Sequence, residues 1–259
     1  MTRQNFTVII PARMKSTRLP EKPLKDIAGR PMVVRVAERA QMTNASDIYV
    51  ACDDEKIVKA CQAFGIKAVL TSTACPTGTD RLSEAVTQLG LPDEAIVVNI
   101  QGDEPLIDPE AVNRVARLLE ESPDCGIATA AHRIADAAEF FNPNVVKVVM
   151  DDASRALIFT RAPAPWARDA FAADRSVLPE NHPAYRHIGL YAYRVEFLKA
   201  FPTWPRSAIE ETENLEQLRA MSHGIGIAVT VLDEMLPPGV DTPEDLERVR
   251  SVFEAMQKA

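Results

Sequence analysis

The sequence predicts an α/β fold: a mostly parallel central sheet with helices on its faces, and an inserted antiparallel subregion. Three observations lead there. Strand-like and helix-like segments alternate through the first half of the chain, the pattern of parallel sheets. The strand-like runs are apolar throughout rather than alternating, as in strands covered on both faces. After residue 125 the alternation stops and four strand-like runs follow with no regular helix between them.

The first element is a strand at 6–10 (Phe-Thr-Val-Ile-Ile), ended by Pro11. A helix follows at 33–42, with Pro31 near its start. Residues 48–52 form a strand, 55–64 a helix closed by Gly65, and 68–70 a short strand. Residues 80–89 form a helix closed by Gly90, 95–100 a buried strand, and 109–121 a helix with proline in its first turn. Strands are expected at 126–132, 145–150, 156–161 and 187–193. The Pro-rich stretch 163–183 has little periodicity and reads as a long loop. A helix at 209–222, a strand at 225–232 and a helix at 243–256 complete the chain. With no repeat, low-complexity tract or convincing linker, one domain over 1–259 is expected, with 133–224 as its inserted subregion.

Composition narrows the function. The chain has 259 residues, 46% of them hydrophobic, and a net charge of −8, enough apolar content for a substantial core. The first 30 residues hold seven Lys/Arg and two Asp/Glu, a net of +5, which leaves −13 on the other 229. So acidic a protein has no general attraction for nucleic acid or an anionic membrane. Residues 1–5 are polar and the apolar run after them is short, so no signal peptide is expected. No stretch approaches membrane-spanning length. Cys52, Cys61, Cys75 and Cys125 are scattered without a C-x-x-C, which suits reduced cytosolic thiols. The protein is therefore expected in the cytoplasm.

Four positions concentrate chemistry. Arg13, Lys15, Arg18 and Lys22 follow the first strand within ten residues. A solvated basic loop would look the same, but its contrast with the acidic remainder suits a small polyanion, and α/β proteins bind phosphates at this end of a strand. Asn99-Ile-Gln-Gly-Asp-Glu-Pro105 ends the fourth strand. Gly102 there allows close approach to the backbone, and Asp103 offers an oxygen ligand for a hard cation such as Mg²⁺; an acidic turn is the plain alternative. In Gly239-Val-Asp-Thr-Pro-Glu-Asp245, Thr242, Pro243 and Asp245 make a good helix start. Asp241 lies one residue outside that cap and is free to be a second Mg²⁺ ligand. Thr77-Gly-Thr-Asp-Arg81 enters a helix and could read a base edge through Thr77, Gly78 and Arg81, or be an ordinary helix start. Neither G-x-x-x-x-G-K-[ST] nor G-x-G-x-x-G follows the first strand.

Taken in order, Val-Ile-Ile-Pro-Ala-Arg-x-x-Ser-Thr-Arg-Leu-Pro-x-Lys-Pro-Leu, Thr-Gly-Thr-Asp-Arg, Asn-Ile-Gln-Gly-Asp-Glu-Pro, Arg186-His-Ile-Gly-Leu-Tyr191, Glu213-x-x-Glu-Gln-Leu-Arg219 and Gly239-Val-Asp-Thr-Pro-Glu-Asp245 resemble the 3-deoxy-manno-octulosonate (Kdo) cytidylyltransferases, or CMP-Kdo synthetases. The resemblance covers residues 6 to 250. It implies a Rossmann-like nucleotidyltransferase fold, a homodimer, and CTP + Kdo → CMP-Kdo + diphosphate for lipopolysaccharide assembly. It implies that Arg13, Ser16 and Lys22 bind the triphosphate, and that Thr77, Gly78, Arg81 and Gln101 surround the cytidine. Asp103 and Asp241 would hold Mg²⁺. Arg161, His187, Tyr191, Glu213 and Gln217 would meet the acidic eight-carbon sugar, and 133–224 would also form the dimer contact. Arg13, Lys22, Asp103 and Asp241 would be the catalytic set. Glu213 and Gln217, four apart on the expected helix, would share a face. Three positions depart from the family pattern: Thr77 stands where serine is common, Cys75 near a common histidine, and Glu21 for a frequent glycine.

Overall fold

The computed structural model describes residues 6–258; residues 1–5, on which the signal-peptide expectation rests, lie outside them. β1 (Phe6–Ala12) runs inside the sheet, with a parallel strand on each side. Its end passes into the basic loop, a single 3₁₀ turn at Lys22–Leu24 and a small hairpin of β2 (Asp26–Ile27) and β3 (Arg30–Pro31). Then come α1 (Met32–Ala40), β4 (Asp47–Cys52), α2 (Glu55–Ala63), β5 (Lys67–Leu70), α3 (Gly78–Gln88), β6 (Ile96–Asn99) and α4 (Pro109–Glu120). These match the expected elements to within a residue or two, and Gly65 and Gly90 close their helices at positive φ.

The second half adds β7 (Cys125–Arg133), α5 (Ala137–Phe141), β8 (Lys147–Met150), β9 (Ala156–Thr160), α6 (Arg168–Ala173) and β10 (Tyr185–Arg194). α7 (Val195–Ala200), α8 (Ala208–Glu213), α9 (Gln217–Ser222), β11 (Gly226–Leu232) and α10 (Pro243–Lys258) end it. The sheet order is β11-β7-β10-β6-β1-β4-β5. β10 alone in this row is antiparallel, inserted between β6 and β7. Its first residues also pair with β8, and β8 with β9, which forms the antiparallel subregion. A bulge between Ile188 and Tyr191 separates the part of β10 that pairs with β8 from the part that pairs with β6.

The core has two sides. Val8 and Ile10 of β1 pack with α1, α2 and α4, while Ile9 packs with α3, α7 and α9 on the other face. This both-sided burial explains the unbroken apolar strands, each buried branched side chain contributing about 1.5–3 kcal/mol. A third cluster joins α10 to the hairpin through Leu19, Ile27, Val240 and Leu246, so the basic loop is anchored at its far end.

Two expectations are corrected. The segment 163–183 is not a bare loop: it contains α6, and Phe171 and His182 pack with Phe140 into an aromatic knot. The helix expected over 209–222 is two helices, broken where Asn214 takes a left-handed conformation (φ 52°). Asparagine tolerates that conformation best after glycine. Glu213 and Gln217 therefore do not share a helix face. No helix among the described residues is long and apolar enough to cross a membrane. The four cysteines are unpaired, and burial and Glu84 push the Cys75 thiol up to about 11.

Candidate active site

The ends of β1, β4 and β6 lie side by side, with Ala12 opposite Cys52 and Ile9 opposite Asn99. Their loops surround a polar cleft of about 420 Å³ lined by Arg13, Ser16, Arg18, Lys22, Gln101, Asp103 and Asp241. Asp241 arrives from the distant end of the chain. The Val240 N–H donates to the Asp103 carbonyl at 2.8 Å, and Gly239 passes so close that an added Cβ would lie 3.3 Å from that same oxygen. Asp245 accepts from the amides of Asp241 and Thr242 and from the Thr242 hydroxyl, while Thr242 Oγ1 caps the Asp245 N–H. The cap expected from the sequence is thus formed, and it leaves the Asp241 carboxylate free to face Asp103.

Those two carboxylates converge on one cation. Lys22 Nζ lies 2.5 Å from Asp103 Oδ2 and 3.1 Å from Asp241 Oδ1. The Arg18 guanidinium takes the other Asp241 oxygen at 3.0 Å. The neighbouring Glu104 does not join them: its Oε2 is buried without a partner, and desolvation, then the Asp103 charge, raises its carboxyl to about 8. Glu21, just before Lys22, is held at φ 54°, a left-handed conformation that glycine takes without strain. Gly102 has a different role from the one its sequence context suggests. An added Cβ would meet the Pro11 carbonyl oxygen at 2.7 Å, so the close approach it permits is to β1.

A second cleft of about 170 Å³ continues from Arg13 and Gln101 to Thr77, Gly78 and Arg81. Thr77 caps α3, its hydroxyl exchanging hydrogen bonds with the Asp80 amide and carboxylate. At Gly78 an added Cβ would meet nothing within 4 Å, so the helix start is open. Arg81 forms the wall, but its guanidinium is committed: it donates to Thr71 Oγ1 at 2.5 Å and to Asp53 at 3.2 Å.

Beyond lies a small recess floored by the stacked rings of Tyr191, Tyr193 and Phe197 and reached by Gln217. Where the recess meets the second cleft, three buried polar atoms have no partner: Asn99 Oδ1 on the cleft side, and Glu216 Oε1 and Gln217 Nε2 in the recess. Buried unpaired groups cost about 1–3 kcal/mol each, and a polar ligand would satisfy them. Asn99 and Glu216 lie inside the sequence motifs but were given no role there: Glu216 adjoins Gln217, and Asn99 is two residues from Gln101. His187 touches the Tyr191 ring at 5.3 Å and the Phe159 ring at 5.0 Å between centroids. Desolvation pulls its imidazole down to about 3. The Thr129 hydroxyl donates to the Leu190 carbonyl at 2.8 Å and so accepts from His187 Nε2 at 3.1 Å.

Arg161 and Glu213 stand apart from that recess, bound to each other. Glu213 accepts from Thr160 Oγ1 and the Arg161 amide, and its carbonyl accepts from Arg161 Nε. The buried Lys147 ammonium donates to three carbonyls, one of them Arg161's, and fixes the same strand end. The structure thus gathers Arg13, Ser16, Lys22, Gln101, Asp103 and Asp241 into one cleft, and Thr77, Gly78 and Arg81 into the next. Tyr191 and Gln217 meet in the recess with His187 behind them.

A family profile described as cytidylyltransferase matches residues 7–227. Among solved structures, a CMP:2-keto-3-deoxy-manno-octonic acid synthetase complexed with CTP superposes with a TM-score of 0.87 at 39% identity, over 98% of this chain and 100% of the other. A cytidylyltransferase from Leptospira borgpetersenii serovar Hardjo-bovis (strain JB197) shares the fold at 15% identity and TM-score 0.59, covering 97% and 87%. A 4-diphosphocytidyl-2C-methyl-D-erythritol synthase does so at 14% and 0.60, covering 98% and 100%.

Proposed function

Because the chain belongs to the cytidylyltransferase family, we propose that it transfers CMP from CTP to the anomeric hydroxyl of Kdo and releases diphosphate. The observation that carries this reading is the meeting of Asp103 and Asp241 on a single cation position beside the basic cleft. The 39% identity with a CMP:2-keto-3-deoxy-manno-octonic acid synthetase supports the choice of sugar.

The donor set fits Mg²⁺. Lys22 Nζ already stands as a cation between the two carboxylates. Two carboxylates with phosphate and water oxygens completing the shell is the usual Mg²⁺ arrangement. Bound there, Mg²⁺ would supply Lewis-acid polarisation of the phosphate and stabilise the attacking oxygen.

The chain's own residues do the rest. Arg13, Ser16 and Lys22 hold the triphosphate, and the positive charges of Arg13 and Lys22 complement the negative charge that builds up on the departing diphosphate. Thr77, Gly78 and Gln101 surround the cytidine, with Arg81 as a fixed wall. Tyr191 and Gln217, with Asn99 and Glu216, take the sugar's hydroxyls on the aromatic floor. Neutral His187 orients Tyr191, and the Arg161–Glu213 pair, apart from the recess, braces the end of β9. Holding the sugar oxygen in line with the α-phosphorus supplies the main rate gain by orientation. On the same reading the enzyme is a cytoplasmic homodimer of one domain, with 133–224 contributing the sugar side and the dimer contact. Its product is the activated sugar for lipopolysaccharide assembly.

The test is diphosphate release from CTP and Mg²⁺ with Kdo, 8-amino-Kdo or neuraminate supplied separately. Kdo-dependent release abolished by EDTA is expected. Release with another sugar alone would move the sugar assignment, and release with none would overturn the reading.

A further inference from the structure

Asp53, the residue after β4, belongs to none of the motifs above. Its carboxylate joins two walls of the nucleotide cleft that no strand pairing connects. Oδ1 accepts the Met14 N–H at 2.9 Å, and Oδ2 accepts from the Arg81 guanidinium at 3.2 Å. The pair is sheltered, with side-chain exposures of 11% for Asp53 and 3% for Arg81. Arg81 is also held by Thr71 Oγ1 and by the Ser72 carbonyl at 3.4 Å.

The pairing of β1 with β4 ends at Ala12 and Cys52. Beyond it, among the described residues, the Met14 amide is the only backbone group of 13–18 that bonds to a side chain of another element. Asp53 therefore fixes where Arg13 leaves the sheet. Through Arg81, three residues into α3 from Gly78, it also fixes the helix start that lines the second cleft.

We propose that Asp53 is a positioning residue for the nucleotide: holding the Met14 amide and the Arg81 guanidinium at once, it sets the distance between the phosphate-binding and base-binding walls. This rests on the nucleotide reading above. A ligand that spans both walls needs them fixed together to a fraction of an ångström, whereas a ligand in the Tyr191 recess does not. A neutral amide at 53 keeps an acceptor for Met14 but leaves the buried guanidinium without its anion.

The experiment compares wild type, Asp53→Asn and Asp53→Glu by calorimetric CTP titration, steady-state kinetics and melting curves. Wild type should bind CTP. In Asp53→Asn the CTP Kd and KM should rise about tenfold or more, the scale of one charge-assisted hydrogen bond, while the sugar KM stays within about twofold. Asp53→Glu, which keeps the charge, should recover part of the loss. Where Asp53→Asn fails to fold, Asp53→Glu is read alone, and it should raise the CTP KM selectively. An unchanged CTP Kd in the folded variant, or equal rises in both KM values, overturns the proposal. A wild type that does not bind CTP overturns the nucleotide reading, and this inference with it.

Discussion

Gly102→Ala tests how tightly the Gln101–Asp103 turn is set against β1. An added Cβ would lie 2.7 Å from the Pro11 carbonyl oxygen, and ordinary contact begins at 3.4 Å, so the two segments must separate by 0.7 Å. The obstacle is backbone, and no rotamer change relieves it. Overpacking of this kind costs about 1–3 kcal/mol. At about 2–4 °C per kcal/mol for a chain of this size, Tm should fall by about 2–12 °C. Asp103 is the next residue and must reach the cation position it shares with Asp241. A misplacement of about 1 Å costs about a hundredfold in rate, so a shift of this size should lower kcat roughly ten- to a hundredfold. The assay is diphosphate release at saturating CTP and sugar, with calorimetric melting of the same samples. Wild-type kcat together with a Tm within about 1 °C of wild type would refute the claim that this turn is pinned to β1.

Other expectations follow from the same geometry. Asp103→Asn and Asp241→Asn should each lower kcat by about a hundredfold or more, with little loss of Tm, because each weakens a partly exposed pair with Lys22; near-normal turnover in either would remove it from the catalytic set. Glu216→Gln should raise the sugar KM about tenfold. Glu213→Gln should act chiefly on Tm, since Glu213 already accepts from Thr160 and Arg161; the reverse pattern in kinetics and melting would exchange their roles. Because His187 titrates at about 3 in the folded protein and near 6.5 unfolded, the unfolded state binds the extra proton between those values. Stability is then complete above about pH 6.5 and falls with acidification toward pH 3 by up to about 1.4 kcal/mol per pH unit. His187→Gln should flatten that part of the stability–pH curve measured by denaturant titration.

Much of the fold was legible because strands buried on both faces need unbroken apolar runs, as at Val8–Ile9–Ile10 and Val97–Val98. The direction and place of β10 were not, since the same apolar run suits a parallel or an antiparallel neighbour. Helical spacing persists across Asn214, so the break there left no periodic trace. In the site, Asp241 was legible because the cap explained its neighbours and left it over. Arg81 was ambiguous because its anchor, Asp53, lies 28 residues away. Asn99 and Glu216 stand within sequence motifs, but their part in the site shows only in their buried, unpaired atoms, which the motif pattern does not reveal. Glu104, beside Asp103, is excluded from the cation position only by the direction its side chain takes into the interior.

The most direct measurement is identification of the product by mass spectrometry after incubation with CTP, Mg²⁺ and Kdo. A CMP–Kdo conjugate formed in step with diphosphate, and absent from Asp103→Asn, is the expected result. Intact CTP in the presence of both Kdo and Mg²⁺, or diphosphate released without a sugar conjugate, would contradict CMP transfer at this site.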